Sequence, residues 1–361
     1  MRRHPTSSLF CLVAILGLGV VGSQAQQPTP EESDFIVRDF RFKSGETLPE
    51  LRLHFRTLGT PARDAQGRVT NAVLILHGTG GSGVSFLAPN FAGVLFGPAQ
   101  LLDTSRYYII LPDSIGSGRS SKPSDGLRMR FPQYDYDDMV TLQHRLLTEH
   151  LRVDHLRLLL GTSMGCMHSW VWGVTYPDFM DAMMPLACLP ARIAGLNRMR
   201  RQMMMDVIRS DPEWDGGNYT AQPRAGLRAA NYLSLLVGAG QLHMHKNFPT
   251  QDAADKFLED SINTRLLTRD ANDILFQYNA SRNYDPSPQL GKIKAQVMHI
   301  NSADDLINPP ELGIAEREIK KVKRGRFVLL PIDGRTYGHA THSQPVVWQE
   351  YLAALLKSSV H

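Results

Sequence analysis

A serine, a pair of aspartates and a histidine, far apart in the chain, are the residues here with chemistry to offer. Gly161-Thr162-Ser163-Met164-Gly165 is a Gly-x-Ser-x-Gly pentapeptide. It follows the apolar run Leu156 to Leu160 and precedes a segment able to start a helix. Strand, sharp turn and helix are the setting in which this pentapeptide holds a serine hydroxyl out at a strand tip. The two glycines permit the turn because neither carries a side chain for the backbone to strike. The following amide, that of Met164, then faces the same space and can bind a developing negative oxygen. A chance match in an ordinary glycine turn is the plain alternative.

A hydroxyl is a poor nucleophile until a base removes its proton, and the base needs a partner to orient it. Downstream, Val297 to Ile300 runs into Asn301-Ser302-Ala303-Asp304-Asp305, and Phe327 to Leu330 leads to a loop with Tyr337-Gly338-His339. An acid and an imidazole therefore follow strand ends in the order Ser, Asp, His, the order of the α/β-hydrolase arrangement. Either aspartate could instead cap a helix beginning near Pro310. His339 and His342 form a His-x-x-His pair, but no third ligand stands at a metal-binding spacing, so no metal and no cofactor is expected.

The elements that must position these groups are legible as short patterns. Asp34 to Phe42 and Leu51 to Leu58 alternate around Lys43-Ser44-Gly45 and predict an opening hairpin. Val73 to Leu76 and Tyr107 to Leu111 are continuous apolar runs, the mark of strands buried on both faces. They end in glycine-rich loops, Gly78 to Gly83 and Gly116 to Gly118. Tyr136 to His150 has helical spacing, with Asp135, Asp137 and Asp138 at its start to cap and solvate it. Ala182 to Ala187 is a further strand. The chain then turns helical, rich in Met and Arg, until about Asp285, and Val346 to Leu356 closes it as an amphipathic helix. Strands alternating with helices imply an α/β fold with a mostly parallel sheet interrupted by a helical insertion, its site at the carboxyl ends of the strands. The expected division is a first core part at 34–190, a helical lid at 191–290 and a second core part at 291–361. His77 reads as a structural member of its loop, and His243 and His245 as surface or groove residues of the lid. Met164, Met167, Trp170 and Met203 to Met205 read as core.

The chain has 361 residues, 42% of them hydrophobic, with 39 Lys and Arg against 35 Asp and Glu. That balance is too mild and scattered for nucleic-acid binding. Arg2 and Arg3 precede an apolar run from Leu9 to Val21, and Ser23-Gln24-Ala25 is a small-residue cleavage signature. The run is too short to span a bilayer, so residues 1–25 are expected to be a removed secretory signal, not a stable membrane anchor. An uncleaved anchor is the alternative. The mature protein is then secreted or periplasmic, opening with a disordered, Pro-rich leader at 26–33. It keeps two cysteines, Cys166 and Cys188, either paired or as two buried thiols.

Gly161-Thr162-Ser163-Met164-Gly165-Cys166-Met167-His168, the stretch Asp211-Pro212-Glu213-Trp214-Asp215-Gly216-Gly217-Asn218-Tyr219 and Asp304-Asp305-Leu306-Ile307-Asn308-Pro309-Pro310-Glu311 resemble the homoserine O-acetyltransferase group of α/β hydrolases. The resemblance covers nearly all the mature chain. It implies a Ser–His–Asp triad, a helical lid and a homodimer through that lid. It selects Asp305 over Asp304, since the family aspartate stands four residues before the proline, and His339 over His342, since the family histidine follows a glycine. It matches Thr79 and Met164 to the two oxyanion amides. The chain departs from the family at Cys166, where a second glycine is usual. The family's carboxylate-holding lid arginine falls on Met205 counting back from Asp211, or on Arg201 by its Arg-Gln pair.

Together these readings predict an exported serine hydrolase that cleaves a small carboxylic ester through an acyl-enzyme, because acetyl-CoA is a cytoplasmic donor. Acyl transfer of the homoserine O-acetyltransferase type is the competing reading. A silent hydrolase fold that only binds is the reading from another class.

Overall fold

The computed structural model describes residues 29–359. Its strands are β1 (Glu31–Arg41), β2 (Thr47–Leu58), β3 (Ala72–Leu76), β4 (Tyr108–Pro112), β5 (Leu158–Thr162), β6 (Ala182–Leu186), β7 (Gln296–Ser302) and β8 (Gly325–Leu330). They form one eight-stranded sheet in the order β1-β2-β4-β3-β5-β6-β7-β8. Neighbours among β3 to β8 run parallel, while the β1–β2 hairpin joins antiparallel to β4. The helices are α1 (Pro89–Leu95), α2 (Tyr136–Arg145), α3 (Met164–Thr175), α4 (Gly195–Arg209), α5 (Arg224–Gly238), α6 (Gln241–Asn247), α7 (Gln251–Thr268), α8 (Ala271–Asn279), α9 (Ile314–Glu318) and α10 (Pro345–Ser358). Among the described residues, no helix is long and apolar enough to cross a membrane.

The all-apolar central strands are explained by helices on both faces. Successive side chains point to opposite sides, so Leu74, Leu76, Leu159 and Met183 pack with Met139 and Val140 of α2 and Trp170 and Trp172 of α3. Val73, Ile75, Leu158 and Leu160 pack on the other side with Phe91 and Leu95 of α1 and Trp348 and Leu352 of α10. Burial of each such side chain is worth about 1.5–3 kcal/mol, which fixes the sheet that carries the site.

Two local readings need correcting. Glu31, Glu32 and Ser33, expected in the disordered leader, belong to β1 and pair with Thr57, Arg56 and Phe55. Glu32 explains this: it accepts from Arg56 Nε at 2.7 Å and from Arg119 Nη1 at 2.6 Å, so a polar stretch is held by ion pairs that composition does not show. Arg56 reaches on to buried Asp113 at 2.9 Å, whose oxygens also take the Gly83 and Arg119 amides and so fasten the two glycine-rich loops together. The expected signal sequence, 1–25, lies outside the described residues. At α2, Asp135 caps by accepting from the Asp137 and Asp138 amides, but Asp135 and Asp138 are buried and only Asp137 is solvated. The helix runs to Arg145 and ends in a wide π turn, Leu146–His150.

Between β6 and β7 the chain forms the helical insert α4 to α8, with its own core of Met204, Met205, Ile208, Leu227, Ile262, Leu266, Ile274 and Tyr278. Met203 is 51% exposed, not core as expected. Helical geometry is the reason: Met204, Met205 and Ile208 share the buried face, whereas Met199 and Met203, one turn apart, lie on the exposed one. The turn between α5 and α6 docks on the loop before residue 339 backbone to backbone. A Cβ on Gly240 would meet the Gly338 nitrogen at 2.5 Å, and the ring of His243 lies over Tyr337 with centroids 4.0 Å apart. Cys166 and Cys188 are joined in a disulfide, Cα atoms 5.8 Å apart.

Imidazoles whose protonation burial opposes set an acid limit on stability. Burial lowers His77, and pushes His168 and His342 down to about 3 and His299 to about 4. Their contribution is present above the unfolded histidine value and is lost as pH falls, because the unfolded chain binds protons that the folded chain refuses. Buried Asp138 and Asp273 act in the opposite sense, raised by desolvation to about 6 and about 7. Four imidazoles taking up protons outweigh two carboxyls releasing them, so unfolding near pH 5 takes up protons on balance. Calorimetry should therefore show Tm falling between pH 6 and pH 4.5; a Tm that rises over that interval contradicts this balance.

Candidate active site

The site begins at the end of β5, where Ser163 occupies an uncommon backbone conformation, φ 52° and ψ −108°. A non-glycine residue stays there only if its surroundings hold it. Gly161 and Gly165 make this possible by close approach. A Cβ on Gly161 would lie 2.0 Å from the Gly165 oxygen, and one on Gly165 would lie 2.0 Å from the Leu76 oxygen. The Ser163 amide donates to Leu186 O and the Gly165 amide to His77 O, each at 2.9 Å, which ties the turn to both neighbouring strands.

His339 comes from the loop after β8. Its Nε2 stands 2.8 Å from Ser163 Oγ, and its Nδ1 stands 2.9 Å from Asp305 Oδ2. In the neutral tautomer that fits, Nδ1–H donates to the carboxylate and Nε2 accepts from the serine hydroxyl. Asp305 is 1% exposed and follows β7. Its Oδ1 accepts from the Ile307 amide at 2.8 Å and the Asn308 amide at 3.2 Å, and its Oδ2 also accepts from Asn308 Nδ2 at 2.9 Å. Burial resists ionisation of Asp305, but the charge and hydrogen bond of His339 and the bonds from Asn308 and Ile307 outweigh it and hold the carboxyl below its usual range. The structure thus brings together Ser163, His339 and Asp305, which lie at three separate strand ends.

Asp304 has a different place. It accepts from Ser302 Oγ, from Thr336 Oγ1 at 2.9 Å and from the Gly338 amide at 3.0 Å. It therefore pins the backbone just before His339 without touching the imidazole.

The loop after β3 lies against the serine, since a Cβ on Gly78 would meet Ser163 Cβ at 3.2 Å. His77 shapes this loop: its Nε2 accepts from the Ser114 amide at 2.9 Å, leaving Nδ1–H to donate to Gly78 O at 2.8 Å. Thr79 follows, and its amide has no protein acceptor among the described residues. Met164 is the first residue of α3, so its amide has no intrahelical acceptor either. Two free N–H groups thus flank the nucleophile's turn, one of them at the positive end of a helix.

The two residues proposed for substrate binding are placed otherwise. Met205 is 2% exposed inside the core of the insert and presents no donor. Arg201 is 4% exposed, donates to Asn197 Oδ1 and Ser281 Oγ, each at 3.0 Å, and lies 5.6 Å from the Tyr278 ring centroid. One of these bonds stays within α4, and the other ties α4 to the residue pair that follows α8. Arg200, next to Arg201, is half-buried and donates to Asn197 Oδ1 at 3.4 Å. Burial, with Arg201 nearby, holds its guanidinium below the usual arginine range, against the opposing pull of Tyr278 and Asp305. The signal that separates the two was helical phase. Arg201, Met204, Met205 and Ile208 share the buried face of α4, which leaves Arg200 turned off it. Among the described residues, no group of three His, Cys, Asp or Glu side chains could hold a metal ion.

Residues 71–335 match the model of the alpha/beta hydrolase fold family. A probable acyltransferase of Methanothermobacter thermautotrophicus is 29% identical over 283 residues, covering 78% of this chain and 84% of that protein. A homoserine O-acetyltransferase of Haloferax prahovense is 33% identical over 247 residues, covering 62% of this chain and 57% of that enzyme. Among solved structures, an acetylester hydrolase from Corynebacterium glutamicum superposes with a TM-score of 0.79 at 20% identity, covering 91% of this chain and 96% of that one. With strand order, turn and matched span in agreement, the chain belongs to the α/β-hydrolase fold family.

Proposed function

We propose that this enzyme hydrolyses a small carboxylic ester through an acyl-enzyme on Ser163. The observation that carries the reading is the hydrogen-bonded line from Ser163 Oγ through the His339 imidazole to the buried Asp305 carboxylate, at 2.8 Å and 2.9 Å. Ser163 Oγ attacks the ester carbonyl carbon while its proton passes to His339 Nε2. The tetrahedral oxyanion is held by the amides of Met164 and Thr79, and Asp305 stabilises the imidazolium. The imidazolium then protonates the leaving alkoxide, the carbon–oxygen bond to the alcohol breaks and the acyl group stays on Ser163. Water, deprotonated by the same nitrogen, attacks the acyl carbon, releases the acid and restores the serine.

Hydrolysis is placed first because we read the basic, apolar N-terminus as an export signal, which removes acetyl-CoA as donor. The disulfide supports that reading, since such bonds persist in oxidising compartments. A bound alcohol in place of water makes the same machinery an acyltransferase. The similarity to proteins named as acyltransferases favours this second reading.

A fluorophosphonate probe should label Ser163, and Ser163→Ala should abolish labelling; a mutant that still labels moves the nucleophile elsewhere. Asp305→Asn should lower kcat by about 10⁴-fold, as loss of the orienting acid does in other serine triads. Asp304→Asn should cost less than about tenfold, since an amide oxygen still accepts from Gly338. The reverse ranking reassigns the acid. Incubation with acetyl-CoA, with and without homoserine, separates the two reactions. Hydrolysis predicts CoA release that ignores homoserine, and homoserine-dependent release establishes transfer.

A further inference from the structure

Leu186, Ala187 and Cys188, where β6 ends, touch three parts of the site in succession. Leu186 O accepts the Ser163 amide at 2.9 Å, so it holds the nucleophile's own backbone. Ala187 O accepts from Asn308 Nδ2 at 3.1 Å, and that same nitrogen donates to Asp305 Oδ2 at 2.9 Å. Cys188 is bonded through sulfur to Cys166 in the first turn of α3, three residues after Ser163. Its carbonyl also accepts from His299 Nε2 of β7 at 2.8 Å. These three residues therefore form a strut between the turn that bears the nucleophile and the loop that bears the acid.

The middle of the strut is held in a conformation it would not choose. Ala187 has φ 62°, a left-handed geometry that a residue with a Cβ keeps only while its neighbours impose it. Its amide is fixed to Ile300 O at 2.9 Å, its carbonyl to Asn308, and the next residue to α3 by a covalent bond. Both cysteines are buried, at 0% and 1% exposure, so the bond joins two segments inside the packed core. Position 166 is also where the resemblance leads one to expect a glycine, which could form no such link.

We propose that the Cys166–Cys188 disulfide is a positioning element for the reaction on Ser163, fixing the first turn of α3 against the segment that orients Asp305 through Asn308. The inference rests on the triad reading above. The strut sets the separation between nucleophile and acid, and the imidazole between them must span it with two hydrogen bonds at once. A shift near 1 Å at such a site can cost about 10²-fold in rate. A bond that merely staples the fold would lower Tm and leave turnover by the folded fraction unchanged.

The test compares wild type with Cys166→Ala/Cys188→Ala on an aryl acetate at a temperature where near-UV circular dichroism shows both folded. The expected result is a kcat lower by about 10- to 100-fold, KM within about threefold, and fluorophosphonate labelling slowed by the same factor as kcat. A kcat within twofold of wild type, whatever happens to Tm, overturns the proposal. Absence of turnover by wild type would instead sink the triad reading, so the two failures are distinct. Should the double variant not fold, wild type is titrated with tris(2-carboxyethyl)phosphine. The phosphine gives two electrons to the disulfide and becomes its oxide with oxygen from water, leaving two thiols. Activity that falls with thiol appearance before the dichroism signal changes supports positioning; activity retained with both thiols free contradicts it.

Discussion

A serine hydroxyl surrenders its proton only where an imidazole is held within hydrogen-bond reach, and an imidazole stays in one tautomer only when its far nitrogen is engaged. The two bonds of His339 meet both conditions, and much of the fold serves to keep them. The helices on both sheet faces hold the parallel strands whose carboxyl ends supply the three side chains. Gly161 and Gly165 let the chain reverse so tightly that Ser163 projects from its strand. Asn308 and two backbone amides keep Asp305 charged though it is buried. Asp304, beside it, fixes the loop that delivers the histidine.

The insert belongs to the same logic. Its turn at Ala239-Gly240 packs directly on Gly338, so the histidine loop is held by both Asp304 and the insert. Arg201 is engaged within the insert, where it ties α4 to Ser281 just after α8.

Much of this could be read from the chain because it rests on local rules. Glycines mark the sharp turn, uninterrupted apolar runs mark strands covered on both faces, and residues following those runs fall at one rim of the sheet. What could not be read depends on partners distant in sequence. Glu31 to Ser33 look like tail until Arg56 and Arg119 are seen to hold Glu32. Met203 looks like its buried neighbours until the phase of α4 is fixed. Cys166 and Cys188 could have remained thiols; only the approach of α3 to the end of β6 decides it. The pair Asp304-Asp305 could not be separated by residue type, because both are fully engaged and only their partners differ.

The most direct measurement is mass spectrometry of the enzyme acid-quenched within the first turnovers of an aryl acetate, with the peptides mapped. An acetyl group is expected on the peptide bearing Ser163, localised to that hydroxyl and absent after turnover is complete. Ester cleavage with the acetyl group on another residue, or with no adduct at any quench time, would contradict it.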